Sequence, residues 1–449
     1  MASAGIVRKR SKFLCMQVNE RESVGGVESS YQKVLGRKNG VVRSLTLELS
    51  TPDEPATKKV VSNVSRQDQL VDNDVSHNVV AASSKPDSLS DAFDGSIGET
   101  TDRYCLRFPP SDALEWATYE EMRAKAPVID YEYVDIYDRE QLAEHLKTFD
   151  RHTEIAWTKG TNLLTGEEVY VPAERVWFSS GELKGDYHMP TSSHGVAAGK
   201  TLEFGLVNAL YETVEADGVM QIWCRQEAPP GIENASFADA WPDVHDFVTE
   251  GIEDEQYSVR LFDCETPVDL PVVGSVVHSP DGSFPRFAHS VASHLHPREA
   301  IHDSATEAAT RCTYLYQKLL TRDLSSLNVD ELDNFESNRL YYALPENFEE
   351  VSFYLDPDTF PVRDVYPESS ASSRVDSKRE EYRRLLEAFA DANVTPIGLE
   401  LTTPDVREMG IRVVRVLVPE LVPVSAAAIL PTNHPRLDGA VRTDKPHCF

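Results

Sequence analysis

The chain has 449 residues, with 74 Asp and Glu against 44 Lys and Arg and a formal net charge of −30. So negative a surface repels nucleic acid and anionic membrane, which excludes both as general partners. The length allows a sizeable buried core, as two or three ordinary domains or one large one with a duplicated core.

Residues 1–39 read as a polar, aperiodic segment, and a single larger domain is expected over 40–449. The stretch from Gly40 to Leu49 alternates like a strand, and 50–86 is polar, with Ser83, Ser84, Lys85 and Pro86 marking a loop. Helices are expected from about Leu89 to Tyr104 and from about Glu140 to Phe149. Ile155 to Trp157, a turn around Gly160 and Glu168 to Pro172 suggest a hairpin. A Gly/Ser/His loop from Ser192 to Gly199 then precedes a helix from Thr201 to about Ala216, and another helix runs from Pro297 past Arg311 towards Leu320. Ser369 to Ser377 reads as an exposed loop, followed by a helix from Glu380 to Ala392 and strands from Pro396 to Thr402 and Ile411 to Val418. Mixed strands and helices of this kind place the fold in the α+β, or mixed α/β, class.

Several chemistries are excluded. The six cysteines are scattered, with neither a CxxC pair nor zinc spacing, and His289, His294, His296 and His302 do not have ligand spacing either. The apolar run Val413 to Leu430 is broken by Arg415 and Glu420 and reads as strand, turn and strand, not as a membrane span. Arg8, Lys9, Arg10 and Lys12 lack the apolar core of a secretory signal, so a cytoplasmic location is expected. The acid excess is spread along the chain, as in cytoplasmic proteins of salt-accumulating archaea, which predicts a halophilic protein.

Three of the helices share a spacing. Gly95, Glu99, Asp102 and Arg103 recur as Asn208, Glu212, Glu215 and Ala216, then as Asp303, Glu307, Thr310 and Arg311, with Ala92, Gly205 or Ala300 seven residues before each leading glutamate. On the middle helix Asn208, Glu212 and Glu215 fall on one face, while Leu202, Leu206, Leu210 and Val214 occupy another sector. Gathered carboxylates suit a magnesium nucleotide, because Mg²⁺ takes oxygen ligands and joins one or two carboxylates to phosphate. Exposed, the same acids would be an ordinary solvated surface, repelling by only a few tenths of a kcal/mol.

These residues carry a resemblance. Ser193 to Thr201 followed by Ala209 to Asp217 resembles the YcaO signature, a small-residue loop feeding an acidic helix. Ser96 to Cys105 is similar to its earlier copy, Pro297 to Arg311 to its third element, and Leu401 to Pro419 to the strand pair near the end. Trp157, Gly166 and Val171-Pro172 match the hairpin between the first two elements. Pro446-His447-Cys448-Phe449 looks like a shortened proline-rich tail. The resemblance implies a YcaO-like fold of repeated sheet-and-helix units around a nucleotide site. It also implies Mg-ATP-dependent phosphorylation of a peptide amide oxygen, giving azolines by cyclodehydration or thioamides by sulfide attack.

Carried over, Glu99, Asp102, Glu212, Glu215 and Glu307 would hold magnesium, and Lys85, Arg103, Asn208 and Arg311 would bind ATP. Glu99, Arg103, Glu212 and Glu307 would be catalytic, and the tail would enter the same cavity. The implied partners are a peptide or protein substrate, a separate substrate-recognition or sulfur-delivery protein, and a second copy in a homodimer. Ala216 and Thr310 depart from the pattern, which expects Arg and Gln there, and they keep open a scaffold that binds peptide without catalysis.

Overall fold

Glu99, Glu212 and Glu307 each stand ten residues beyond the first residue of their helices, which span Leu89–Cys105, Leu202–Arg225 and Pro297–Thr321. In the computed structural model the described residues are 32–36, 40–49, 57–65, 80–84, 88–178, 187–324, 327–329, 332, 334–367, 375, 377–425 and 428–449. Each of the three helices follows a strand, Val80–Ser84, Val196–Gly199 or Phe287–Ser293, after a short connection. Their starts are set locally. The Ser88 side chain accepts from the Asp91 amide, Thr201 accepts from Phe204, and His296 accepts from Arg298 beside a first-turn proline.

The small residue seven before each glutamate is buried where helix meets sheet. At Gly205 an added Cβ would come 2.9 Å from Val414 Cγ2 and 3.2 Å from the Ala197 carbonyl, so the strand can approach only a bare backbone. Two units also repeat a polar contact. Ser62 donates to the Ser96 carbonyl at 2.8 Å, with the two hydroxyls 2.8 Å apart. Ser275 does the same to Ser304 at 2.8 Å, again with hydroxyls 2.8 Å apart. Ser96 and Ser304 each precede the leading glutamate by three residues, so the sequence repeat is also a structural one.

The described strands form three sheets. Val42–Leu49, Lys58–Val64 and Val80–Ser84 make an antiparallel trio. Five strands lie in the order Phe287–Ser293, Val272–His278, Ser258–Asp263, Gly231–Ile232 and Thr359–Phe360. Six more make the third sheet, in which Ile155–Asn162 pairs with Glu115–Ala117, Glu168–Pro172 and Ile397–Glu400. That sheet continues through Arg412–Leu417 to Val196–Gly199. Sheets and helices together make the α+β fold. The Leu202–Arg225 helix packs on both Arg412–Leu417 and Phe287–Ser293, so it joins the two larger sheets.

Some expectations are corrected. Strands Lys58–Val64 and Val80–Ser84 occupy part of the supposed polar stretch, and Val196–Gly199 is strand where a loop was expected. The hairpin turn lies at 163–167, with Gly166 at φ 77°, not at Gly160. Gly160 sits inside its strand opposite Val169, where an added Cβ would come 2.5 Å from Ile397 Cγ2. Sheet packing, not turning, requires that glycine. Beyond Leu417 the apolar run is irregular and forms no second strand among its described residues. The helix expected to reach Phe149 ends at His145, and the one expected to end near Ala216 continues to Arg225. Leu202 is 39% exposed and lies outside the core that Leu210 and Val214 enter. Residues 1–31 and 37–39, and most of the expected loop at 369–377, lie outside the described residues, as does Lys85.

Candidate active site

The middle helix presents its acids to two strand ends. Gly195, at φ 79°, turns the chain so that its amide donates to Glu212 Oε2 at 2.9 Å, while its carbonyl accepts from the Val416 amide at 2.8 Å. One turn later Glu215 Oε1 accepts from the Ser293 amide at 2.7 Å. On the third helix Glu307 takes a hydrogen bond from Ser290 Oγ at 2.8 Å and another from Arg311 Nη2 at 2.7 Å. Arg311 Nη1 also donates to the His289 carbonyl at 2.5 Å. On the first helix Arg103 pairs with Glu99 one turn away.

Electrostatics tie the three helices together. Burial pushes the Asp102 carboxyl well above its usual range, and Glu99 and Glu212 add to the rise against Arg103. Glu212 is pushed up to about 8, chiefly by burial and then by Glu99 and Glu307, against the favourable Gly195 and Val196 amides. Glu215 is also held high by burial, with Glu212, Glu307 and Asp303 contributing. Burial acts to raise Glu307 too, yet Arg311, Ser290 and Arg339 outweigh it and hold that carboxyl below its usual value. Glu307 lies deep in the fold but keeps 51% of its side-chain surface accessible, so it lines a hollow that water can enter. Asp102, by contrast, is 6% exposed.

The five acids therefore sense one another across the three helices. A divalent cation fits that chemistry: the donors are hard oxygens, burial and then their mutual repulsion keep three of them towards the protonated state, and buried Asp102 Oδ1 has no hydrogen-bond partner. Among the described residues no three His, Cys, Asp or Glu side chains already form a metal-ligating cluster. Magnesium commonly uses only one or two carboxylates per ion and takes its remaining oxygens from phosphate and water, so a closed protein cage is not required.

Other predicted residues have clear positions. Asn208 lies half-buried one turn before Glu212. The Thr310 hydroxyl donates to the Thr306 carbonyl at 2.8 Å and so is used within its own helix. Ala216 is buried against a neighbouring cavity. His289 lies against Phe262 and Phe287, His294 stacks on Tyr211, and His296 caps its helix, which gives these histidines packing or capping contacts.

Sequence reasoning missed Arg339. It lies deep in the fold with Nε unpartnered, is pushed down to about 9 by burial and by Arg311, and senses Glu307 and Arg103. The acidic-site groups it senses are remote in sequence, so no local pattern announces it. The carboxyl-terminal tail is also drawn inward. Asn338 and Tyr342 donate to the carbonyls of His447 and Pro446 at 2.8 and 2.6 Å, and the buried Phe449 ring lies 5.0 Å from that of His289. His194 is pushed down to about 3 by burial and by Arg311 and His447, which places the loop, the third helix and the tail around one region.

Comparison with known proteins bears on the family and the fold. A family model described as YcaO cyclodehydratase, ATP- and Mg²⁺-binding, matches residues 85–422. No curated protein matches. A solved heterocyclase in complex with substrate and cofactor is similar at TM-score 0.67 and 20% identity, with 88% of this chain and 52% of that chain covered. This chain thus spans about half the length of that protein. The YcaO protein of Methanopyrus kandleri, solved with AMPPCP and Mg²⁺, is similar at TM-score 0.61 and 17% identity, covering 85% and 86% of the two chains. The E. coli microcin synthetase McbBCD complex follows at TM-score 0.53 and 12% identity, covering 84% and 88%.

Proposed function

Because the chain belongs to the YcaO family, we propose that it is an ATP- and Mg²⁺-dependent enzyme that activates backbone amides of a ribosomally made peptide and forms azoline rings by cyclodehydration. The observation that carries the proposal is the convergence of Glu99, Asp102, Glu212, Glu215 and Glu307 from three equivalent helices, with arginines set among them. The family model's description names both ATP and magnesium, and one solved neighbour is bound with AMPPCP and Mg²⁺.

In this reading the acidic cluster holds magnesium, and Arg103, Arg311 and Arg339 offer guanidinium donors to phosphate. Bound Mg-ATP would supply the phosphoryl group that turns an amide oxygen into a leaving group. The Gly195 and Ser293 amides fix one oxygen each of Glu212 and Glu215, so the donor positions are set by backbone before any ligand arrives. Asn208 supports the same face, and Glu307 stays ionised beside Arg311. The peptide substrate is expected to come with a separate recognition protein. Departures in the second and third motifs favour a second reading, because Ala216 offers no charge and Thr310 spends its hydroxyl within its helix. That reading is a catalytically degenerate scaffold that binds peptide.

Calorimetric titration with ATP, with and without Mg²⁺, tests the proposal. Magnesium-dependent binding that weakens in Glu212→Gln supports it, and no binding in either condition supports the scaffold. Thioamide formation belongs to the same activated amide and is separated from ring formation by the mass of the modified peptide.

A further inference from the structure

Behind the middle helix, on the side of Thr213 and Ala216, lies a cavity of about 50 Å³ whose polar lining is unlike the rest of this acidic protein. Two buried arginines, Arg175 and Arg415, face it together with Tyr137, Thr191, Ser192 and His194, and among the described residues no carboxylate lines it. Among the described residues both guanidiniums are held by neutral oxygens. Arg175 Nη1 donates to the Tyr133 carbonyl at 2.6 Å, and Arg415 Nη1 donates to those of Val176 and Ser192 at 3.1 and 3.0 Å. The buried Arg415 Nε has no hydrogen-bond partner.

Carbonyl dipoles orient a guanidinium but do not neutralise it, and burying two such charges side by side is costly without an anion. Burial and the neighbouring Arg175 indeed push Arg415 down to about 9, and the carboxylate it senses, Glu212, is itself driven towards neutrality. We propose that Arg175 and Arg415 form a binding pocket for a small tetrahedral oxyanion of the inorganic phosphate class. The volume admits a few water-sized groups, which suits phosphate and is too small for a nucleotide. Guanidinium geometry matches two phosphate oxygens at once, and the free Nε–H supplies a donor for a third contact. The pocket backs directly onto the helix that carries Glu212 and Glu215, so it is placed to accept phosphate released on the other side. That last role rests on the proposed ATP chemistry, whereas phosphate binding does not.

The test is calorimetric titration of inorganic phosphate into the full chain, free of nucleotide and magnesium and at constant ionic strength. Wild type should bind, Arg175→Leu should lose at least about tenfold in affinity, and Arg415→Lys should weaken binding while keeping the charge. Arg311→Met should bind phosphate within about twofold of wild type. Circular dichroism identifies any variant that fails to fold, in which case the remaining variants decide. Loss in Arg311→Met with none in Arg175→Leu would assign phosphate to the acidic site and overturn the pocket, as would absence of binding by wild type. Acetate binding as tightly as phosphate would overturn the tetrahedral assignment. Phosphate binding without any ATP binding would retain the pocket and reject the enzymatic reading.

Discussion

The Gly195 amide lies 2.9 Å from Glu212 Oε2, and the same residue's carbonyl is held by Val416 at 2.8 Å, so one left-handed turn couples the acidic helix to the edge of the six-stranded sheet. An added Cβ there would stand 2.6 Å from the Val416 carbonyl. Gly195→Ala should therefore destabilise the fold by about 1–3 kcal/mol through backbone strain and this clash. Denaturant unfolding measures the loss, and weaker Mg-ATP binding should accompany it. A variant of wild-type stability and affinity would remove the turn's role.

Glu212 makes the site pH-dependent. Its folded pKa of about 8 lies above the ordinary 4.5, so the native state binds more protons than the unfolded chain across that window. Stability from this group is therefore full below about 4.5 and declines as pH rises towards 8. Cation binding needs the carboxylate and should strengthen over the same rise. Glu212→Gln should flatten the stability profile and weaken Mg-ATP binding while staying folded. Calorimetry in buffers of different ionisation enthalpy should find more proton release on binding by wild type than by the variant, which keeps the raised carboxyls of Asp102 and Glu215. Equal proton release by the variant would assign the proton elsewhere.

The tail should matter to more than turnover. Phe449 is buried against His289, and the preceding carbonyls accept from Asn338 and Tyr342. Phe449→Ala should lower stability by on the order of 3 kcal/mol. Removal of residues 446–449 should reduce turnover on a cognate peptide more than it reduces ATP affinity. Equal turnover and melting temperature in the truncated protein would show the tail to be a bystander.

With a net charge of −30, the protein should gain stability as salt screens self-repulsion. The melting temperature is expected to rise between dilute buffer and molar KCl. A flat or falling profile would reject the halophilic reading.

The three acidic helices were legible because each begins at a local capping residue and keeps a fixed offset to its glutamate. The five-stranded sheet was not. Val272–His278 is buried on both faces and so lacks the alternation that marks a half-exposed strand. Lys58–Val64 was hidden by its two leading lysines, one of which, Lys59, is buried in an ion pair with Glu48. Gly160 looked like a turn because the close approach of Ile397 is a long-range fact. Arg415 was visible as a lone charge in an apolar run, but its pairing with Arg175 depends on residues 240 positions apart in sequence.

The constant ten-residue offset from helix start to glutamate acts as a ruler, and a ruler constrains length changes as well as substitutions. One residue inserted between Leu202 and Glu212 would turn the carboxylate by about 100° and advance it about 1.5 Å, away from the Gly195 amide. The same insertion beyond Arg225 would leave every acid in phase. Tolerance to insertions and deletions should thus be partitioned along each helix, nearly absent before its glutamate and recovered after its carboxyl end.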